Sequence, residues 1–125
     1  MTTDTQTISY QPAIVHFTDL VQGDTLSFMV NLTDDAGDPI DITGTTADME
    51  IKRADDTLVL ALTVGDGITF TDAGNGQMTI AVDASDTAAF DPEYIYRYDL
   101  QWTNGTTVRT LAWGTIRTIV VVMIS

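Results

Sequence analysis

The sequence predicts an all-β domain, mostly antiparallel, built as a sandwich or barrel from about eight strands with one short helical crossover. Three observations predict it. Apolar residues recur at period two over several stretches, the pattern of a strand with one buried face. Breakers rich in Gly, Asp and Asn separate these stretches by roughly 8–12 residues, as in all-β folds. No helical stretch is long enough to cross over between parallel strands.

Composition agrees. The chain has 125 residues, one ordinary domain, with 44% hydrophobic and 18% charged residues. Lys52 is the only lysine, and Thr, Gly and Asp are frequent. That mixture favours strands and turns over helices. The net charge of −13 repels phosphate backbones and anionic bilayers, so neither nucleic acid nor membrane is expected as a partner. It also keeps copies of the protein apart. There is no Cys, which excludes disulfides and thiolate metal sites. The polar start, Met1 to Gln6, lacks the pattern of a signal peptide. The apolar run Ile119–Ile124 is far shorter than the ~20 residues of a membrane helix.

Taken in order, residues 1–11 read as a polar, extended N-terminal arm. Ala13–Phe17 is a first short strand, followed by a turn over Leu20–Asp24. Thr25–Leu32 alternates, with Leu26, Phe28, Val30 and Leu32 on one face. Asp34–Pro39 is dense turn chemistry, and Thr43-Gly44 breaks the chain again. Thr45–Arg53 buries Ala47, Met49 and Ile51 and leaves Asp48, Glu50 and Lys52 wet. Leu58, Leu60, Leu62 and Val64 repeat at period two; Ile68 and Phe70 mark a short strand, and Met78, Ile80 and Val82 the next. Asp83–Phe90 is the helical crossover, capped by Asp83 and stopped by Asp91-Pro92.

The strongest alternation is Tyr94–Trp102, which forms a hairpin with Thr107–Arg117. Tyr94, Tyr96, Tyr98, Leu100 and Trp102 share a face that reads as core. Two registers are open. A two-residue Asn104-Gly105 loop sets Leu100 opposite Arg109 and Trp102 opposite Thr107. A three-residue loop through Thr106 sets Trp102 opposite Val108, Tyr98 opposite Ala112 and Tyr96 opposite Gly114. The second is preferred because it places small residues across from large rings.

Several pieces together resemble a known family. They are Gln22-Gly-Asp24, Asp35-Ala-Gly-Asp-Pro-Ile-Asp-Ile-Thr-Gly44, Met49-Glu-Ile-Lys-Arg53, Asp86-Thr-Ala-Ala-Phe90, Tyr94–Leu100 and Asn104–Gly114. In this order they resemble the immunoglobulin-like β-sandwich module of tailed-phage virion proteins, similar to the N-terminal domain of phage upper baseplate proteins. The resemblance spans about Gly23 to Arg117. It implies an antiparallel immunoglobulin-like β-sandwich that docks a fibre, baseplate or head accessory onto a symmetric virion, and it implies no catalytic residues. In baseplate relatives such a module precedes further domains, whereas this sequence stops at Ser125. The expectation is therefore a stand-alone adaptor or a decoration protein, with an arm (1–11), a sandwich (12–117) and an apolar C-terminal strand or arm (118–125).

Candidate chemistry is sparse. Asp34, Asp35, Asp38 and Asp41 lack the spacing and the bidentate Glu of a calcium loop, and read as a capped turn. Asp48 and Glu50 share a wet strand face. His16 is the only histidine and has neither a nucleophile motif nor metal-ligand partners. Asn31-Leu-Thr33 and Asn104-Gly-Thr106 match the glycosylation pattern without a secretion signal. The interface candidates are Trp113, whose parity points it outward, and the apolar run Ile119, Val120, Val121, Val122, Met123 and Ile124, which invites completion by another chain. The function expected is a non-enzymatic virion structural protein without cofactor or metal. It is made in the host cytoplasm, docks onto other phage virion proteins in the tail, baseplate or fibre region, and belongs to a homo-oligomer or symmetric assembly. Capsid decoration and recognition of host glycans are the alternatives.

Overall fold

The alternating stretches become strands. The computed structural model describes residues 3–8 and 13–120, and among these the strands are β1 (Thr3–Ile8), β2 (Ala13–Ile14), β3 (Phe17–Val21), β4 (Leu26–Leu32), β5 (Thr46–Lys52), β6 (Leu58–Val64), β7 (Gly67–Asp72), β8 (Gln77–Val82), β9 (Tyr96–Asn104) and β10 (Thr107–Ile119). Among the described residues one short α-helix, α1 (Ala84–Ala88), lies between β8 and β9, and a 3-10 turn over Ala73–Asn75 lies between β7 and β8. The all-β expectation holds.

The sheet is mixed, which corrects the antiparallel expectation. Its strands follow one hydrogen-bonded path, β1-β4-β8-β7-β6-β5-β9-β10-β2, with β3 also on β10, and the whole curls into a half-barrel. Parallel pairs are β1 with β4, β2 and β3 with β10, and β6 with β7. Parallel neighbours need a long connection. For β2 and β3 on β10 that connection is nearly the whole domain, so no crossover helix is required. The β6–β7 pair is different. Gly65 and Asp66 turn the chain so tightly that Thr63 and Val64 align with Gly67 and Ile68. Thr63 and Asp66 exchange backbone hydrogen bonds of 3.0 and 2.9 Å. This short seam joins the β5–β9–β10 half of the sheet to the β4–β8 half.

The two halves face each other across one core. Phe28, Val30, Met49, Ile51, Ile68, Met78, Ile80, Leu100 and Ile116 are fully buried. Each such side chain contributes roughly 1.5–3 kcal/mol through apolar burial. Phe17 on β3 reaches Phe28 on β4 with ring centroids 5.0 Å apart, and also Tyr98 on β9 at 5.7 Å. These contacts tie the far ends of the path together.

The hairpin has neither expected register. Its two-residue turn is Gly105-Thr106, with Asn104 opposite Thr107 and Trp102 opposite Arg109. A bulge at Leu111 then shifts β10, so that Leu100 faces Ala112, Tyr98 faces Gly114 and Tyr96 faces Ile116. Leu111 and Ala112 are consecutive and both buried. One extra residue reverses the alternation of β10 and increases local twist. A small residue does lie across from a ring, but the pair is Gly114 with Tyr98. On its other flank Trp102 lies over Ala47 of β5 and donates its indole N–H to the Thr45 hydroxyl at 2.7 Å.

Around α1, Asp83 occupies the N-cap position with extended backbone, but its side chain makes no capping bond, contrary to the expectation. The helix is anchored from outside. The buried Thr87 hydroxyl lies 2.7 Å from the Asp24 carbonyl, and the Gln22 amide donates to the carbonyls of Ala88 and Phe90. The turn after β3 thereby holds the crossover, and Phe90 packs on Tyr96 at 4.9 Å.

Candidate interaction surface

Bulge and pleat decide which side chains β10 shows to solvent. Past Leu111, even-numbered residues point inward and Trp113, Thr115, Arg117 and Ile119 point outward. Trp113 is 46% exposed, as its parity predicted. Its neighbours come from both flanking strands: Asp99 on β9 and Ile14 on β2. Ile14 is 58% exposed, so the two apolar side chains sit together on an otherwise polar face. Sequence reading missed Ile14, because a two-residue strand has no readable period.

On the side away from Ile14 lies a shallow groove of about 300 Å³, lined by Glu50, Lys52, Asp56, Arg97, Asp99 and Trp113 among others. The register sets Glu50 opposite Asp99 and Lys52 opposite Arg97. Arg97 is ion-paired with Asp56 across the β5–β6 turn. Asp56 adopts φ 68, a left-handed conformation that Asp tolerates better than most residues. No local sequence signal links Asp56 to Arg97; the pairing of β5 with β9 brings them together.

Trp113 and the described start of the apolar run, Ile119 and Val120, form separate surfaces. Six residues of strand, about 20 Å, separate Trp113 from Ile119. Thr118 and Ile119 pair with Leu20 and Val21 of β3, and the amide of Gln22 donates to the Ile119 carbonyl at 2.8 Å. On the other flank β9 begins only at Tyr96, opposite Ile116. The strand therefore passes the start of β9 by three residues and ends together with β3 at Ile119; the next residue, Val120, is 62% exposed. Ile119 and Val120, with Pro92, Ile95 and Arg117, line a second open groove. Val121, Val122, Met123 and Ile124 lie outside the described residues.

The aromatic row is core, with one correction. Tyr96, Tyr98 and Trp102 are buried, but Tyr94 precedes the strand, is exposed, and stacks under the Arg53 guanidinium at 5.0 Å. The Asp34 carboxylate accepts the amides of Ala36 and Asp38, so the acidic loop uses its charge to cap its own turn. Hydrogen bonds from Thr43 hold the Asp41 carboxyl below its usual range in the same way. His16 is an exposed edge residue. Its Nδ1 accepts the Thr115 amide at 3.1 Å, where Val15 and His16 interrupt the pairing of the first strands with β10. That amide fixes Nδ1 as an acceptor.

At the same interruption the Tyr98 hydroxyl donates to the Val15 carbonyl at 2.7 Å. Burial pushes its pKa well above the ordinary tyrosine value. The fold thus keeps the neutral phenol. The stability this gives is fully present below about pH 10 and is lost as pH rises further, because the unfolded chain ionises and the folded one does not. Tyr98→Phe is expected to cost about 1 kcal/mol at pH 8 through the lost hydrogen bond. That gap should close by about pH 11, where ionisation of the unfolded wild type amounts to about 1.4 kcal/mol. Urea melts of both proteins from pH 8 to 11 check this; a gap constant with pH would contradict it.

No protein-family model matches the sequence, and no curated protein matches it. A solved structure does. The chain is similar to the N-terminal domain of phage TP901-1 ORF48, with a TM-score of 0.58 and 13% sequence identity, over 94% of this chain and 98% of that one. At this identity the likeness is one of fold, and it extends over nearly the full length of both chains.

Proposed function

We propose that the protein is a non-enzymatic structural component of a tailed-phage virion, in the tail or baseplate region, where it docks onto other virion proteins. The observation that carries this reading is the end-to-end fold likeness to a phage domain, with no large unmatched insertion in either chain. In this reading the curled sheet is a variant of the immunoglobulin-like sandwich. Support comes from Phe17 and Phe28 meeting across the core and from the parallel lie of β2 and β3 on β10. The docking element is the end of β10. Among the described residues no strand pairs β10 on its β9 side from Arg117 to Ile119, and such an open edge has backbone groups and side chains available for β-augmentation by a partner.

Two measurements test it. The wild-type protein is expected to co-purify with density-banded particles and to be imaged at the tail. Absence from particles sinks the virion reading, and a capsid position replaces the tail reading with decoration. Deleting residues 120–125 is expected to leave the melting temperature within a few degrees, because β3 pairs β10 only to Ile119. The same deletion is expected to abolish incorporation. A truncated protein that still joins particles removes the docking strand from the proposal.

A further inference from the structure

The groove beside Trp113 is not used by docking through the end of β10. We propose that it binds a short neutral oligosaccharide, with the Trp113 indole as stacking platform and Asp99, Glu50 and Arg97 as hydrogen-bonding partners for its hydroxyls. The inference does not depend on the virion reading.

Three features of the geometry carry it. The register places Glu50, Asp99 and Trp113 in a line across three adjacent strands. With strands spaced by about 4.8 Å, that line is about 10 Å long, the footprint of a short oligosaccharide. A parallel line of Lys52, Arg97 and Thr115 lies about 7 Å further along the strands. The space between, about 300 Å³, is the size of a small-ligand cleft.

The backbone of the platform is fixed: Trp113 sits within a strand hydrogen-bonded on both sides, so only its two side-chain torsions are ordered when the ring stacks on a sugar. The polar groups beside it are available. Among the described residues the ion pair at this groove is Arg97 with Asp56, while Glu50, Asp99 and Lys52 have no side-chain partner. Carboxylates and cationic nitrogens side by side offer the acceptors and donors that vicinal hydroxyls require.

Charge selects the ligand class. Three carboxylates and two cations line the groove, in a protein of net charge −13. An anionic ligand meets a repulsive field. Of the groove's lining residues Trp113 alone is an exposed large apolar side chain, too little for an apolar peptide to cover. A neutral polyol uses both signs of charge without having to carry any, which leaves a basic peptide as the competitor.

Trp113 is the exposed tryptophan and Trp102 the buried one, so intrinsic fluorescence reads the groove. Cellotriose, maltotriose and chitotriose are titrated into the full chain to about 10 mM, above the ~1 mM dissociation constant of a weak, shallow site. At least one is expected to give a saturable quench or blue shift. Trp113→Ala should abolish the binding when it is followed by calorimetry. Asp99→Asn should weaken it about tenfold, with the melting temperature of both variants unchanged. No saturable signal with any of the three sugars overturns the proposal, as does binding that survives Trp113→Ala. A response to pentalysine but to none of the sugars also overturns it and assigns the groove to a basic peptide.

Discussion

Gly114→Ala is expected to destabilise the protein by about 2–4 kcal/mol. Gly114 lies in β10 where the Val15–His16 segment passes closest. An added Cβ would overlap the Val15 carbonyl oxygen far inside van der Waals contact and come within 2.8 Å of its carbon. These are backbone atoms, so no side chain can swing away. The segment has to lift, taking with it the Tyr98 hydroxyl bond to the Val15 carbonyl and the His16 bond to the Thr115 amide. The urea midpoint should fall with little change in slope, as for a loss of stability at constant exposed surface. Gly74→Ala is the control. Its Cβ would meet nothing within 4 Å, and its cost should stay within about 0.5 kcal/mol. Equal stability of the two variants would contradict the close approach of Val15 to β10.

Phe28→Ala is expected to cost about 3–5 kcal/mol. Phe28 is buried on β4 and meets Phe17 of β3 across the core. The two strands are chain neighbours but lie near opposite ends of the sheet's path, so the contact exists only because the sheet curls. A double-mutant cycle with Phe17→Ala should return a coupling of about 0.5–1.5 kcal/mol, typical of an aromatic pair. Additive single effects would contradict the facing of the two halves.

Much of the fold was legible, for local reasons. Leu26 to Leu32 and Thr46 to Lys52 alternate because each has one face in the core and one in water. Asp34 announces its turn because its carboxylate reaches its own backbone two and four residues on. The hairpin register was not legible. The bulge at Leu111 arises because Leu111 and Ala112 both find room in the core, and no local pattern distinguishes that from simple alternation. Tyr94 continues the aromatic period two residues ahead of the strand, so its exposure contradicts the pattern. Parallel pairing was invisible for a related reason: Phe17 and Ile116 are register partners separated by nearly the whole chain.

The candidate surface divides along the same line. Trp113 was readable from parity, and the apolar run from Ile119 onward from composition. Ile14, Asp56 and the groove between Glu50, Asp99 and Trp113 appear only when β2, β5, β9 and β10 lie side by side.

By itself the sequence determined most of the strands and turns, the inward faces of β4, β5, β8 and β9, and the acidic surface. Those follow from period, turn chemistry and charge, which act over a few residues. Tertiary structure alone decided the mixed pairing, the shift at Leu111, the close approach at Gly114, and the point where β10 outruns β9. These depend on which volumes fit together across the core and on which backbone groups remain to be paired, and both are settled between residues far apart in the chain.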